Sequence, residues 1–416
     1  MRIMRTLIFV SYFSSIEGMV MAEWADDKLR VASTKFNRTF LITSIASKIE
    51  HQENVVVFRV PSLSWRDFSW ELQEIRKNDR RWPLLLILYF PLPYFLGRIW
   101  DYLFDKITDN SAARWSWAFS ALPQMLILKI LHPSSYVFCT GGATGGHLLG
   151  LFTKYLTHTS LYLEFQDPLL GSEMVRSSFN SSGILNMERL FISNSVRTVF
   201  VTKNAAQSAI KRHPALESRI ANIYPGAWKF QIDVETKVFR GNEMIEVIHL
   251  GTLYGARNLD NFFRALDELK DVGYKNVERV RVTNFGALYL ENKDDYLMRQ
   301  DFRVLQPTNR QDALIRASLA DALLLIQHAD SRSQETIPYK TFDYFNLSKP
   351  IFAVINNPEL AEMLESEFDF VSDSTSVTSI RFSLMDFLDK SRREARRVRS
   401  LERTYLIEQQ FSRIFE

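Results

Sequence analysis

The chain has 416 residues, with 51 Lys and Arg against 48 Asp and Glu, a net charge of +3 and one cysteine. That length favours two domains, each large enough to bury its own core, and the near-balance of charge gives no reason to expect a nucleic-acid partner. A lone cysteine excludes an intrachain disulfide and a cysteine-rich zinc site, which fits a reducing cytoplasm.

The opening segment Met1–Phe13 has a short apolar core, broken by Ser11 and without a small-residue cleavage pattern before Glu17-Gly18. It reads as the first strand of a doubly wound sheet rather than as a signal peptide. Short apolar runs at Arg38–Thr43, Asn54–Arg59, Ser160–Phe165 and Thr198–Thr202 alternate with helical patterns up to about Ile223. Such alternation predicts a parallel sheet covered by helices. Between them, the basic Arg76, Lys77, Arg80 and Arg81 precede the charge-free run Pro83–Gly97 and then Arg98-Ile-Trp100. The run is too short and too interrupted by proline for a membrane span of about 20 residues. Residues 76–100 therefore carry two readings, an interfacial patch on an anionic membrane leaflet or a segment buried between helices.

Cys139 ends the strand-like Tyr136–Cys139 and reads as a buried structural thiol. The glycine-rich Thr140–His147 follows it and opens a helix, a context that suits anions, although no Gly-Lys-Ser/Thr of a P-loop follows. A polar stretch from Gln231 to Glu243 interrupts the pattern and marks the linker. Strands then resume at Ile245–Leu250, Val277–Thr283, Phe302–Leu305, Ala322–Ile326 and Pro350–Val354, and a long charged helix begins near Ser391. The expected architecture is α/β, with Rossmann-like doubly wound domains over 1–230 and 244–395 and a C-terminal helix over 396–416.

Two segments of the second domain carry the chemistry. Gly251-Thr-Leu-Tyr-Gly-Ala-Arg257 joins a strand to a helix near Asn258. Its glycines let backbone approach a pyrophosphate, helix-opening amides donate to it, and Arg257 pairs with it; the plain alternative is an ordinary turn with a surface arginine. Glu335 and Asp343 stand eight positions apart across a loop and a helix start, with Pro338 and Lys340 between them. Cation and amides suit phosphates and carboxylates suit sugar hydroxyls, whereas the plain reading is a pair of solvated helix-start acids.

Glu335 to Ile351 resembles the E-x7-E region of the large retaining glycosyltransferase family four, with Asp343 in place of the second Glu. Val247–Asn258, Gly146-His147-Leu-Leu-Gly150 and Glu164-Phe-Gln-Asp167-Pro168 resemble other segments of that family, so the likeness covers most of the chain. It implies the GT-B arrangement, two Rossmann-like domains facing a cleft, the acceptor on the first and a nucleotide-diphosphate sugar on the second, with the C-terminal helix crossing back to the first domain. It also implies that Gly18 lies near the donor phosphate, that Gly251, Arg257 and Lys340 hold the diphosphate, that Glu335 meets the donor sugar and that Asp343 meets the ribose. His147 becomes a candidate to contact donor sugar or acceptor, and Asp167 to orient or deprotonate the acceptor hydroxyl. The chain has Arg257 but not the family's second cation a few residues on, so Lys340 takes that place.

There is no D-x-D triplet, so no metal is expected; leaving-group charge falls to Arg257, Lys340 and amides, and no cofactor is implied beyond the nucleotide-sugar substrate. The function expected is retaining transfer to a glycan, lipid-linked if residues 76–100 meet a membrane, in bacterial surface polysaccharide synthesis at the inner face of the plasma membrane. Two rivals stay open, a sugar-nucleotide epimerase of the same fold and a non-catalytic sugar-nucleotide-binding protein.

Overall fold

The computed structural model describes residues 6–16, 19–49, 52–77, 97–99, 102–103, 106, 113–170, 181–228, 244–306, 309–347, 349–364, 368–390 and 405–416. Gly18, most of the Pro83–Gly97 run, the Gln231–Glu243 stretch and the start of the helix expected from Ser391 lie outside them. The chain divides into two compact units, Met1–Pro225 together with Ile407–Glu416, and Gly226–Leu406.

The first unit is built on seven strands, β1 Leu7–Val10, β2 Thr39–Ser44, β3 Val55–Val60, β4 Tyr136–Cys139, β5 Leu161–Phe165, β6 Arg197–Phe200 and β7 Ile220–Asn222. They are all parallel, in the order β3-β2-β1-β4-β5-β6-β7. Central strands of a sheet covered on both faces must be apolar throughout, and β1, β2 and β5 are buried at every residue while the edge strand β3 is not. The helix Val20–Lys35 covers the sheet with Ala22, Trp24, Ala25, Leu29 and Ala32. The helix Trp115–Leu131 packs on Gly145–Thr157. A Cβ on Gly150 would stand 2.6 Å from the Cys139 sulfur, so close helix-to-sheet packing requires glycine there. Cys139 is buried and burial pushes its thiol up, which leaves it inert. The C-terminal helix Ile407–Arg413 belongs to this unit, where Phe411 and Phe415 pack on Phe138 and Phe36, and Lys35 donates to Ser412.

The second unit carries β8 Ile245–Leu250, β9 Leu253–Tyr254, β10 Val280–Phe285, β11 Leu288–Tyr289, β12 Phe302–Leu305, β13 Ala322–Ile326, β14 Ile351–Ile355 and β15 Phe370–Asp373. Six of them form a parallel sheet in the order β12-β10-β8-β13-β14-β15, and β9 and β11 pair separately. The helix Asp260–Asp271 buries Phe262, Phe263, Ala265, Leu266 and Leu269 against the core. The two parallel α/β sheets expected from the sequence are therefore present.

Strand order fixes where ligands bind. β1 has β2 on one side and β4 on the other, and β8 stands in the same way between β10 and β13. At such reversals the helices that follow neighbouring strands leave to opposite faces, and a crevice opens at the carboxyl ends of the strands. In the second unit those ends lead into Gly251–Arg257 and into the loop to Lys340.

Candidate functional site

In the second unit, the loop after β8 is set by backbone that only glycine adopts without strain. Gly251 has φ +120°, and Gly286, at φ +150°, brings its Cα so near that a Cβ would stand 2.3 Å from the Gly251 carbonyl oxygen. Tyr254 and Arg257 exchange backbone hydrogen bonds of 3.0 and 2.9 Å around Gly255, which closes a tight turn. The Arg257 guanidinium lies 5.2 Å from the Tyr254 ring centroid, and the same ring meets His328, just past β13, edge to face with centroids 5.2 Å apart. Arg257 is thus oriented by an aromatic ring rather than by a carboxylate.

The helix Lys340–Asn346 starts two residues beyond Pro338, whose carbonyl accepts from Thr341 at 2.9 Å. It is tied to the sheet by Tyr344, whose buried hydroxyl accepts from the Leu250 amide at 3.0 Å and lies 3.4 Å from the Leu324 carbonyl. That anchor delivers Lys340 to the end of β8, where its ammonium donates to the Leu250 carbonyl at 2.9 Å and to His249 Nε2. His249 accepts there because its Nδ1–H is committed to Asn284 Oδ1 at 2.6 Å, and Asn284 in turn donates to the Gly286 carbonyl at 2.9 Å. Burial, Lys340 and Arg257 all hold the His249 pKa well below its usual range, so the ring is neutral. The Lys340 pKa is itself well below the usual lysine range, first through burial and then through Arg257. Neither Arg257 nor Lys340 forms an ion pair among the described residues, and the Arg257 Nε is buried without a hydrogen-bond partner there. Arg257 and Lys340 thus follow β8 and β13 at the strand-order reversal of the second sheet, and Arg257 helps to lower the Lys340 pKa.

Glu335 ends the 3₁₀ turn Ser331–Glu335. Gln327 and Asn357 fix that turn from both sides, each donating to the Ser333 and Thr336 carbonyls at 2.7–3.2 Å. Asp343 sits in the first turn of the next helix and is engaged by Arg310, which donates to Oδ1 at 2.5 Å and to Oδ2 at 3.2 Å and lies over the Tyr339 ring. The solvated helix-start acid of the plain reading is therefore not what stands at Asp343. It is a buried carboxylate in a two-point ion pair, and Arg310, which carried no sequence signal, is its partner.

In the first unit the glycine-rich segment serves packing. A Cβ on Gly145 would lie 2.3 Å from the Arg114 carbonyl, and the Gly145 amide donates to Ala113 at 2.7 Å. The His147 side chain is fully buried, stacks on Phe165 at 4.5 Å, and hydrogen-bonds through Nε2 to the Glu164 carbonyl at 2.8 Å. Burial pushes its imidazole down to about 3. Asp167 follows β5 and is exposed. Sequence reading also missed His249, Asn284 and Tyr344, on strands or a helix where a polar residue is the only signal, and His328 in the loop just past β13. No group of three or more His, Cys, Asp or Glu suited to a metal occurs among the described residues, nor any helix long and apolar enough to cross a membrane.

No protein-family model and no curated protein sequence matches the chain. Its fold is similar to that of Anabaena HepE, solved in complex with UDP and glucose, with TM-score 0.61 at 11% identity over 99% of this chain and 98% of that one. It is similar also to sucrose-phosphate synthase from Thermosynechococcus elongatus, with TM-score 0.65 at 8% identity over 99% and 98%. The lipopolysaccharide outer core galactosyltransferase WaaB gives TM-score 0.59 at 9% identity over 99% of both chains. At these identities the likeness establishes the fold, which is the GT-B type of two parallel-sheet α/β domains.

Proposed function

We propose that the protein is a glycosyltransferase that moves a sugar from a nucleotide-diphosphate sugar to a glycan acceptor, with retention of configuration and without a metal. The observation that carries this reading is the placement of Lys340 on the Leu250 carbonyl and His249 at the end of β8, with Arg257 on the Tyr254 ring in the turn that follows, at the strand-order reversal of the second sheet. The reaction develops negative charge on the departing diphosphate, and preorganised cations that need no reorientation stabilise that charge most. Glu335 accepts from hydroxyls of the donor sugar, Asp343 accepts from the ribose, and Asp167 on the first unit orients the acceptor hydroxyl or takes its proton. Attack from the face that the diphosphate leaves accounts for retention without a covalent nucleophile. The basic and apolar residues 76–100 support a lipid-linked acceptor at an anionic leaflet, as in surface polysaccharide synthesis.

The test is proton NMR of the full chain with nucleotide sugars, with and without oligosaccharide or polyprenyl-diphosphate glycan acceptors. An anomeric signal of the donor's configuration in a new glycosidic bond, formed in excess EDTA, is the expected result. Conversion of the donor alone to an isomer would instead establish an epimerase, and a donor left intact under all conditions would establish a binding protein.

A further inference from the structure

We infer that Arg310 is the residue that determines ribose recognition in this site, by holding Asp343 as an ionised, fixed acceptor; the inference rests on the nucleotide-sugar reading above. Asp343 is buried to 6% exposure, where an isolated carboxylate would take up a proton and turn from a pure acceptor into a mixed donor and acceptor. Arg310 prevents this with two parallel contacts, to Oδ1 at 2.5 Å and Oδ2 at 3.2 Å, which also fix the plane of the carboxylate. The guanidinium is steadied in turn, since it lies 5.0 Å from the Tyr339 ring centroid and reaches the Tyr339 hydroxyl at 3.3 Å. Arg310 opens the helix Arg310–Ser318 that follows β12, so the pair links the loop after β12 to the helix after β13. An aspartate is one methylene shorter than a glutamate, and a side chain of shorter reach must be held rigidly to meet a ribose diol. Arg310 is a positioning residue. It acts through Asp343.

Calorimetric titration of the full chain with UDP, GDP and ADP first identifies the nucleoside diphosphate bound. Failure of all three contradicts the nucleotide-sugar reading itself. The bound nucleotide is then compared with its 2′-deoxy and 3′-deoxy counterparts. A hydrogen bond to a charged acceptor implies that the natural protein prefers the ribonucleotide over at least one of them by roughly tenfold or more. Arg310→Gln and Asp343→Asn should each bring that preference to within about twofold, and Arg310→Lys, which keeps the charge but not the fork, should restore part of it. With donor sugar, Arg310→Gln should raise KM and leave kcat nearly unchanged. Nucleotide binding with full discrimination retained in Arg310→Gln overturns the inference while leaving the glycosyltransferase reading in place, and so does a melting-temperature loss in Arg310→Gln without any change in discrimination.

Discussion

Glu71→Gln should make the first unit more stable, and by an amount that grows with pH. Glu71 is fully buried on the helix Trp65–Lys77, and its carboxyl accepts from the Tyr12 hydroxyl at 2.9 Å, the Ser62 hydroxyl at 2.7 Å and the Ser62 amide at 3.0 Å. The nearby cation Arg114 is paired with Asp67 instead. Burial, which outweighs those hydrogen bonds, pushes Glu71 from its ordinary 4.5 up to about 8. Because the folded value lies above the unfolded one, its contribution to stability is complete below about pH 4.5 and lost as pH rises to about 8. Each pH unit in that window costs about 1.4 kcal/mol, so the whole shift amounts to roughly 4–5 kcal/mol. Gln cannot ionise, accepts from the Ser62 amide through its carbonyl, and donates to the hydroxyl oxygens of Tyr12 and Ser62. All tryptophans but Trp228 belong to the first unit, so their fluorescence in urea titrations follows its unfolding. The stability difference between variant and natural protein should widen by about 2.7 kcal/mol from pH 5.5 to 7.5. Taking the difference cancels Asp26, His147 and other titrations common to both proteins. A difference that stays flat across that range would refute the reasoning.

Arg257→Ala and Lys340→Ala should each raise the barrier to transfer by roughly 2–4 kcal/mol while the melting temperature holds, since each removes a cation aimed at the leaving phosphate; near-natural rates in both would contradict it. Diphosphate binding should raise the pKa of Lys340, which burial and Arg257 hold well below the usual lysine range, so at pH values where the free site has begun to lose that proton, binding restores it. Affinity should then fall as pH rises, and calorimetry in buffers of different ionisation heat should show net uptake; equal heats in all buffers would exclude it. His147→Ala should cost about 2–4 kcal/mol of stability by emptying a site stacked on Phe165, with the donor KM unchanged; a changed KM at full stability would return His147 to the site. Turnover should survive excess EDTA, and loss restored by magnesium or manganese would show that a metal, not Arg257 and Lys340, meets the leaving group.

The sheets were legible wherever burial on both faces demanded unbroken apolar runs. The central strands Ile245–Leu250 and Ala322–Ile326 fall where their sequences place them. Edge strands lack that demand. Ile220–Asn222 is three residues long and partly exposed throughout, and Phe370–Asp373 alternates, so neither rises above its loop surroundings. Gly251, Arg257 and Lys340 stand out in the sequence as candidates because close backbone approach and phosphate chemistry restrict residue type at a strand-to-helix turn, and the structure sets Lys340 beside Gly251 at the end of β8. Partners from distant segments were not. Arg310 reaches Asp343 across 33 positions, and Asn284 sets the tautomer of His249 across 35; such pairs follow from strand order, which periodicity does not encode. A histidine at a glycine-rich helix start reads the same whether its ring faces a ligand or, as His147 does, stacks on Phe165.

The central claim is that Arg257 and Lys340 together bind the diphosphate of the donor. It is tested most directly by measuring the affinities of a nucleoside diphosphate and the matching monophosphate for the natural protein and for the Arg257→Ala Lys340→Ala double variant. The natural protein should prefer the diphosphate by roughly tenfold or more, one charge-assisted contact being worth at least that, and the preference should disappear in a folded double variant. A double variant that still prefers the diphosphate to the same degree would contradict it.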